Sequence, residues 1–141
     1  MLVIHNPDGS ISQCIVQAEG TLEALSKKYD AAGIGHIMYD GTADIYTCYV
    51  KDGEVIPRPE IEVTGELRDV VADGEDALHL TVNVTPYKAT VIYEDKPIHV
   101  EESETADLVF SIAVPGSYKI VLEAAFPYLS KTVLIEAVNE D

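Results

Sequence analysis

The sequence has no tryptophan, two cysteines, and only nine basic residues against 25 acidic ones. The resulting formal charge of −16 repels nucleic-acid phosphates and anionic lipid headgroups, so DNA, RNA and membrane surfaces are not expected as partners. The start of the chain has neither the basic segment of a signal peptide nor an apolar stretch of about 20 residues. We therefore predict a chain without a secretion signal or membrane span.

Cysteine and histidine are too scattered to predict a metal or catalytic centre. Cys14 and Cys48 lie in apolar surroundings without a CxxC motif, so both are predicted to be reduced core residues. A disulfide formed across a sheet is the alternative. No serine lies in a G-x-S-x-G elbow, and no metal-ligand spacing links the four histidines, His5, His36, His79 and His99. We expect no catalytic residue, metal or cofactor, and hence no enzyme.

Residues 1 to 58 are predicted to form a small α+β unit. The strand-like runs MLVIH and SISQCIVQA (10 to 18) flank a turn that ends at Gly9, which predicts a hairpin. Thr21 is a suitable N-cap and Gly33 a suitable C-terminal stop for one helix. Further strands are predicted on both sides of the turn dipeptide Asp52-Gly53.

A stiff linker at Pro57 and Pro59 is predicted to separate this unit from residues 60 to 141. Apolar and polar residues alternate in LHLTVNV, DLVFSIAV and SYKIVLEA, which places one face of each strand on a core. The run IEVTGELRDVV (61 to 71) is counted as one strand, and DLVFSIAV is expected to continue to Val114. About seven short strands with frequent turn signals predict a Greek-key β-sandwich.

The stretch PGSYKIVL indicates which kind of sandwich this is. Pro115 and Gly116 form a turn, and Tyr118 stands where its hydroxyl can bond to backbone a few residues upstream. This arrangement is the tyrosine corner of immunoglobulin-like domains, and the string resembles the G-x-Y signature of their bacterial and phage members. The expected fold class is mainly β, with a small α+β unit followed by an immunoglobulin-like sandwich.

The first half carries a second resemblance. Its order of NPDGSISQ, a short helix and YVKDGEVIPRP is similar to the N-terminal region of small accessory virion proteins of tailed bacteriophages, and FPYL (126 to 129) also occurs in such proteins. The matching residues of the hairpin and its exit are Tyr49, Val50, Asp52, Gly53, Arg58 and Pro59. The resemblance implies a virion component on the tail, tail fibre or capsid surface, made in the host cytoplasm. Its implied partners are other virion proteins and further copies of itself.

The predicted function is therefore structural, with docking through residues 1 to 58 and display of residues 60 to 141. Residues 61 to 141 carry sixteen acidic and five basic side chains, and like charges keep displayed copies from sticking together. The alternative is a carbohydrate-binding sandwich that contacts a host cell-surface glycan, although the chain lacks tryptophan. Its aromatic contact residues would be Tyr87, Tyr93, Phe126 and Tyr128.

Overall fold

A computed structural model describes residues 1–16, 20–41 and 43–139. The chain divides into two compact units, Met1–Pro59 and Glu60–Asp141. Strands account for 51% of the structure and a single described helix for 8%, so the predicted mainly β fold is confirmed. The immunoglobulin-like assignment of the second unit stays a prediction.

The first unit contains a three-stranded sheet, a helix and a separate two-stranded hairpin. Its elements are β1 (Leu2–His5), β2 (Ile11–Ile15), α1 (Leu22–Ala32), β3 (His36–Met38), β4 (Cys48–Lys51) and β5 (Glu54–Pro57). The sheet is antiparallel in the order β2-β1-β3, and β4 pairs with β5 in the hairpin. The predicted second strand ends at Ile15, while Gln17 and Ala18 at the end of that run lie outside the described residues.

The helix begins and ends at the predicted residues. Thr21 has extended backbone, and its Oγ1 accepts a hydrogen bond from the Ala24 amide at 3.0 Å. Gly33 has φ of 70°, the left-handed conformation that ends helices, and its amide donates to the Asp30 carbonyl at 3.2 Å. Both caps are confirmed.

The linker prediction was wrong for Pro57. This residue ends β5 opposite Cys48, and the Arg58 amide donates to the Thr47 carbonyl at 2.7 Å. A proline is tolerated at a strand end because only a donor is lost there. Residues 57 and 58 therefore belong to the hairpin of the first unit.

The second unit consists of two sheets. Its strands are β6 (Val63–Gly65), β7 (Val70–Val71), β8 (Leu78–Val82), β9 (Tyr87–Tyr93), β10 (Lys96–Ser103), β11 (Asp107–Phe110), β12 (Gly116–Ala124) and β13 (Lys131–Val138). One sheet has the order β10-β9-β12-β13-β7 and the other β11-β8-β6. All described pairs are antiparallel except β13 with β7, which is parallel.

Two strand predictions in this unit were wrong in extent. Residues 61 to 71 form two strands in different sheets, since β6 pairs with β8 and β7 with β13. The crossing is held by Arg68, which donates to Asp76, and by Asp76, which accepts from the Val71 amide. The run predicted to reach Val114 ends with β11 at Phe110, because the chain turns there toward β12 and leaves Val114 51% exposed.

The two sheets of the second unit share one core. Alternate residues of β8, β9, β11, β12 and β13 point into it, as the period-two pattern predicts. Among the described residues, sixteen buried apolar side chains lie in this unit and five in the first: Leu2, Val3, Ile11, Tyr49 and Val50. The second unit thus has much the larger hydrophobic stabilisation.

Candidate functional site

Tyr118 is the most buried aromatic residue of the second unit, with 1% of its surface exposed. Its Oη donates to the Val114 carbonyl at 2.7 Å, four residues upstream. Its ring stacks on Tyr93 at a centroid distance of 4.8 Å and meets the edge of Phe110 at 5.5 Å. Burial raises the pKa of Tyr118, and Tyr93 and Glu94 raise it further, so the hydroxyl remains a donor.

The turn before Tyr118 requires glycine at position 116. Gly116 has φ of 146°, and a Cβ placed there would lie 2.7 Å from Cε2 of Tyr93. Tyr93 Oη in turn donates to the Pro115 carbonyl at 3.5 Å, a long hydrogen bond. Pro115, Gly116 and Tyr118 therefore form a structural corner that the Tyr93 ring closes.

The four aromatic residues considered for sugar binding do not share one exposed surface. Tyr87 is 4% exposed, and its Oη donates to the Asp107 carbonyl at 2.6 Å. Its assignment as a contact residue was wrong, because the alternation of β9 turns it into the core. Tyr93 and Tyr128 are half-buried and pack against that core, and Phe126 is 37% exposed.

A polar pair that the sequence did not predict joins the helix to the strand that follows it. Ser26 on α1 and His36 on β3 are linked by a hydrogen bond of 2.8 Å between Oγ and Nε2. His36 Nδ1 lies 2.8 Å from the Ile34 carbonyl, which can only accept, so Nδ1 carries a proton. In the neutral ring, Nε2 then accepts from Ser26. Asp30 Oδ1 lies 3.4 Å from the same Nε2.

The Ser26–His36 pair contains the residue types of an activated nucleophile, but it is buried like a structural contact. A serine, a base within hydrogen-bond reach and a group that orients the base are the parts that acyl transfer requires. The His36 side chain, however, is only 7% exposed, and its Nδ1 proton is given to backbone of its own turn. The geometry therefore favours attachment of α1 to the sheet over catalysis.

The two cysteines are free thiols that pack against the core of the first unit. Both thiols are half-buried, so they are more exposed than the predicted core position implies. Burial raises the pKa of the Cys14 thiol, and the neighbouring Cys48 and Asp44 raise it further. A thiol with a raised pKa is a weak nucleophile at neutral pH, so Cys14 is poorly suited to catalysis.

Two carboxylates of the acidic loop at 72 to 76 accept hydrogen bonds from other groups of the protein. Asp73 Oδ1 accepts from the amides of Glu75 and Asp76, both at 2.8 Å, which lowers the pKa of Asp73. Asp76 accepts two hydrogen bonds from Arg68 at 2.8 and 2.9 Å. Arg68 and the Val71 amide hold the pKa of Asp76 at about 2. These carboxylates stabilise the crossing between the sheets.

Within the described ranges, no group of three or more His, Cys, Asp or Glu side chains could hold a metal ion. The helix found there, α1, has eleven residues and is too short to cross a membrane. No family model, no curated protein and no solved structure matches the chain.

Proposed function

We propose that the protein is a non-enzymatic structural component of a tailed-phage virion, which docks through residues 1 to 58 and displays an acidic immunoglobulin-like domain, residues 60 to 141. The observation that carries this proposal is the division into two compact units, each with a hydrophobic cluster of its own. Separate cores allow separate tasks. The phage assignment itself rests on the short motifs of the first half.

The strand order of the second unit supports the immunoglobulin-like part of the proposal. In such domains, the second and fifth strands share one sheet, and the third, sixth and seventh share the other. With β8 taken as the second strand, β8 and β11 lie in one sheet and β9, β12 and β13 in the other. The fourth strand, β10, differs from the constant-type pattern, since it pairs with β9 and not in the sheet of β8. The corner tyrosine then falls at the start of the sixth strand, where this fold places it.

The thin core of the first unit supports a docking role. Its described residues bury five apolar side chains and expose as many large ones, namely Val16, Ile34, Met38, Ile45 and Tyr46. The corresponding numbers in the second unit are sixteen buried and eight exposed. A unit of this size buries little surface by itself and gains stability when a partner covers its exposed apolar residues.

The carbohydrate-binding alternative has less support. Sugar-binding sandwiches present aromatic rings to solvent, and of the four candidates here only Phe126, at 37%, is an exposed residue. A glycan array probed with the full chain tests this alternative, which requires saturable binding that is lost in Phe126→Ala.

The virion proposal is tested by particle composition. Tailed particles would be purified on a density gradient from a lysate of the strain that carries the gene, and their proteins identified by mass spectrometry. We expect peptides of this chain to co-fractionate with capsid and tail proteins. Expression of the chain with recovery only in the particle-free fraction would contradict the proposal.

A further inference from the structure

The strand β10 forms an open edge of the five-stranded sheet. Among the described strands only β9 pairs with it, so alternate residues of β10 direct their N–H and C=O groups away from the sheet. Every residue of β10 except Ser103 is exposed. Unpaired strand edges of this kind accept an additional strand from another chain.

Only part of this edge is regular enough to accept a strand. Pro97 removes one donor, and the register with β9 shifts between Pro97 and His99. From His99 to Ser103 the register is continuous, with His99 opposite Val91 and Ser103 opposite Tyr87. The five residues from His99 to Ser103 therefore form the usable edge.

An apolar groove runs beside this edge. It has a volume of about 370 Å³ and lies between β10 and β11, the edge strands of the two sheets. Most of its lining is apolar and includes the core residues Val91, Leu108 and Phe110. His99 and Glu101 of β10 form its polar rim. A strand added to β10 would direct every second side chain along this groove.

The acidic charge around the edge indicates which residues would suit the positions of the added strand that point away from the groove. Residues 94 to 107 contain six acidic side chains and one basic one, Lys96. Within the edge, Glu101 and His99 lie on the groove side, 3.7 Å apart, whereas Glu102 lies opposite Lys88 on the outer face of the sheet. Basic side chains on the outer side of an added strand would face Glu102, and a second copy of this chain, with a charge of −16, would be repelled.

We propose that the β10 edge from His99 to Ser103 binds an extended segment of a partner protein in which apolar and basic residues alternate. Backbone hydrogen bonds to β10 supply affinity, the groove takes the apolar side chains, and the acidic residues select for basic ones. This inference is independent of the virion proposal, since it requires only the β10 edge and its groove.

The test uses the full chain and a synthetic peptide of sequence KVKVKVK, acetylated and amidated, with binding measured by titration calorimetry at physiological salt. We expect saturable binding, weakened at least tenfold when alternate amides of the peptide are N-methylated. Glu102→Lys should weaken it by a similar factor. The matched control is Glu123→Lys on β12, because Glu123 shares the outer face and the Lys88 neighbour but lies two strands from the edge.

Four results would overturn the proposal. The first is absence of saturable binding by a folded chain, and the second is equal affinity for the N-methylated peptide. The third is equal weakening by the two lysine variants, which would indicate general charge attraction. If sedimentation instead reveals a dimer that Glu102→Lys dissociates, the occupant is a second copy and the basic partner is wrong.

Discussion

At the residue scale, three polar side chains of the second unit each hydrogen-bond to a backbone group. Tyr118 satisfies the Val114 carbonyl, Tyr87 satisfies the Asp107 carbonyl, and Asp76 satisfies the Val71 amide. Each of these contacts lies where the chain leaves or enters a strand. The polar groups of these three side chains are thus engaged in turns and corners.

Loss of the Tyr118 hydroxyl should destabilise the second unit. Tyr118→Phe leaves the Val114 carbonyl without its donor, which costs on the order of 1 kcal/mol or more. Tyr46→Phe is the control, since Tyr46 is 74% exposed. The midpoint and slope of urea unfolding measure the effect, and equal midpoints for wild type and Tyr118→Phe would argue against a tyrosine corner.

Gly116 should not tolerate a side chain. Gly116→Ala adds a Cβ 2.7 Å from the Tyr93 ring at a φ of 146°, so the ring or the turn must move. We expect a loss of about 1 kcal/mol or more in the free energy of unfolding. Gly53→Ala also has positive φ but meets open space, so it separates backbone strain from the clash. Equal losses of stability in both variants would show that the clash with the Tyr93 ring does not contribute.

The Arg68–Asp76 pair should make stability depend on acid pH. Arg68 first, and then the Val71 amide, lower the pKa of Asp76 from its ordinary 3.8 to about 2 in the folded state. The folded state therefore binds fewer protons, so this stabilisation is present above pH about 5 and is lost as the pH falls through about 2. As the pH is lowered across this range, the melting midpoint of Asp76→Asn should fall by less than that of the wild type. Identical profiles for wild type and Asp76→Asn would refute the linkage.

At the scale of elements, local sequence signals predicted the parts that depend on neighbouring residues. Thr21 and Gly33 cap α1 as expected, because a cap needs only the adjacent turn. The change of sheet between β6 and β7 was missed because it depends on Arg68 reaching Asp76, eight residues away. The Ser26–His36 contact was missed for a similar reason, since it forms only when α1 folds back on β3.

Removal of the Ser26 hydroxyl should loosen α1. Ser26→Ala leaves Nε2 of the nearly buried His36 ring without its donor. We expect a net loss of roughly 1–2 kcal/mol in the free energy of unfolding, once the higher helix propensity of alanine has been subtracted. Ser12→Ala is the control, because Ser12 is exposed and makes a longer hydrogen bond of 3.2 Å. Urea unfolding followed by the helical circular dichroism signal compares them. Equal stability of the two variants would contradict an attachment role.

At the scale of the whole molecule, the two units differ in the size of their cores. The second unit buries sixteen apolar side chains across two sheets, whereas the described part of the first buries five. The first unit should therefore be the less stable one and the one that gains most from a partner. The acidic charge lies mostly on the better-packed unit, with sixteen of the 25 acidic residues after position 60.

The central claim is that the second unit folds without the first, and equilibrium unfolding of residues 60 to 141 expressed alone tests it most directly. The division after Pro59 and the separate core predict one cooperative transition, with a midpoint close to that of the more stable transition in the full chain. An isolated fragment that is unfolded, or that melts without cooperativity, would contradict the account, because the two units would then depend on a shared core.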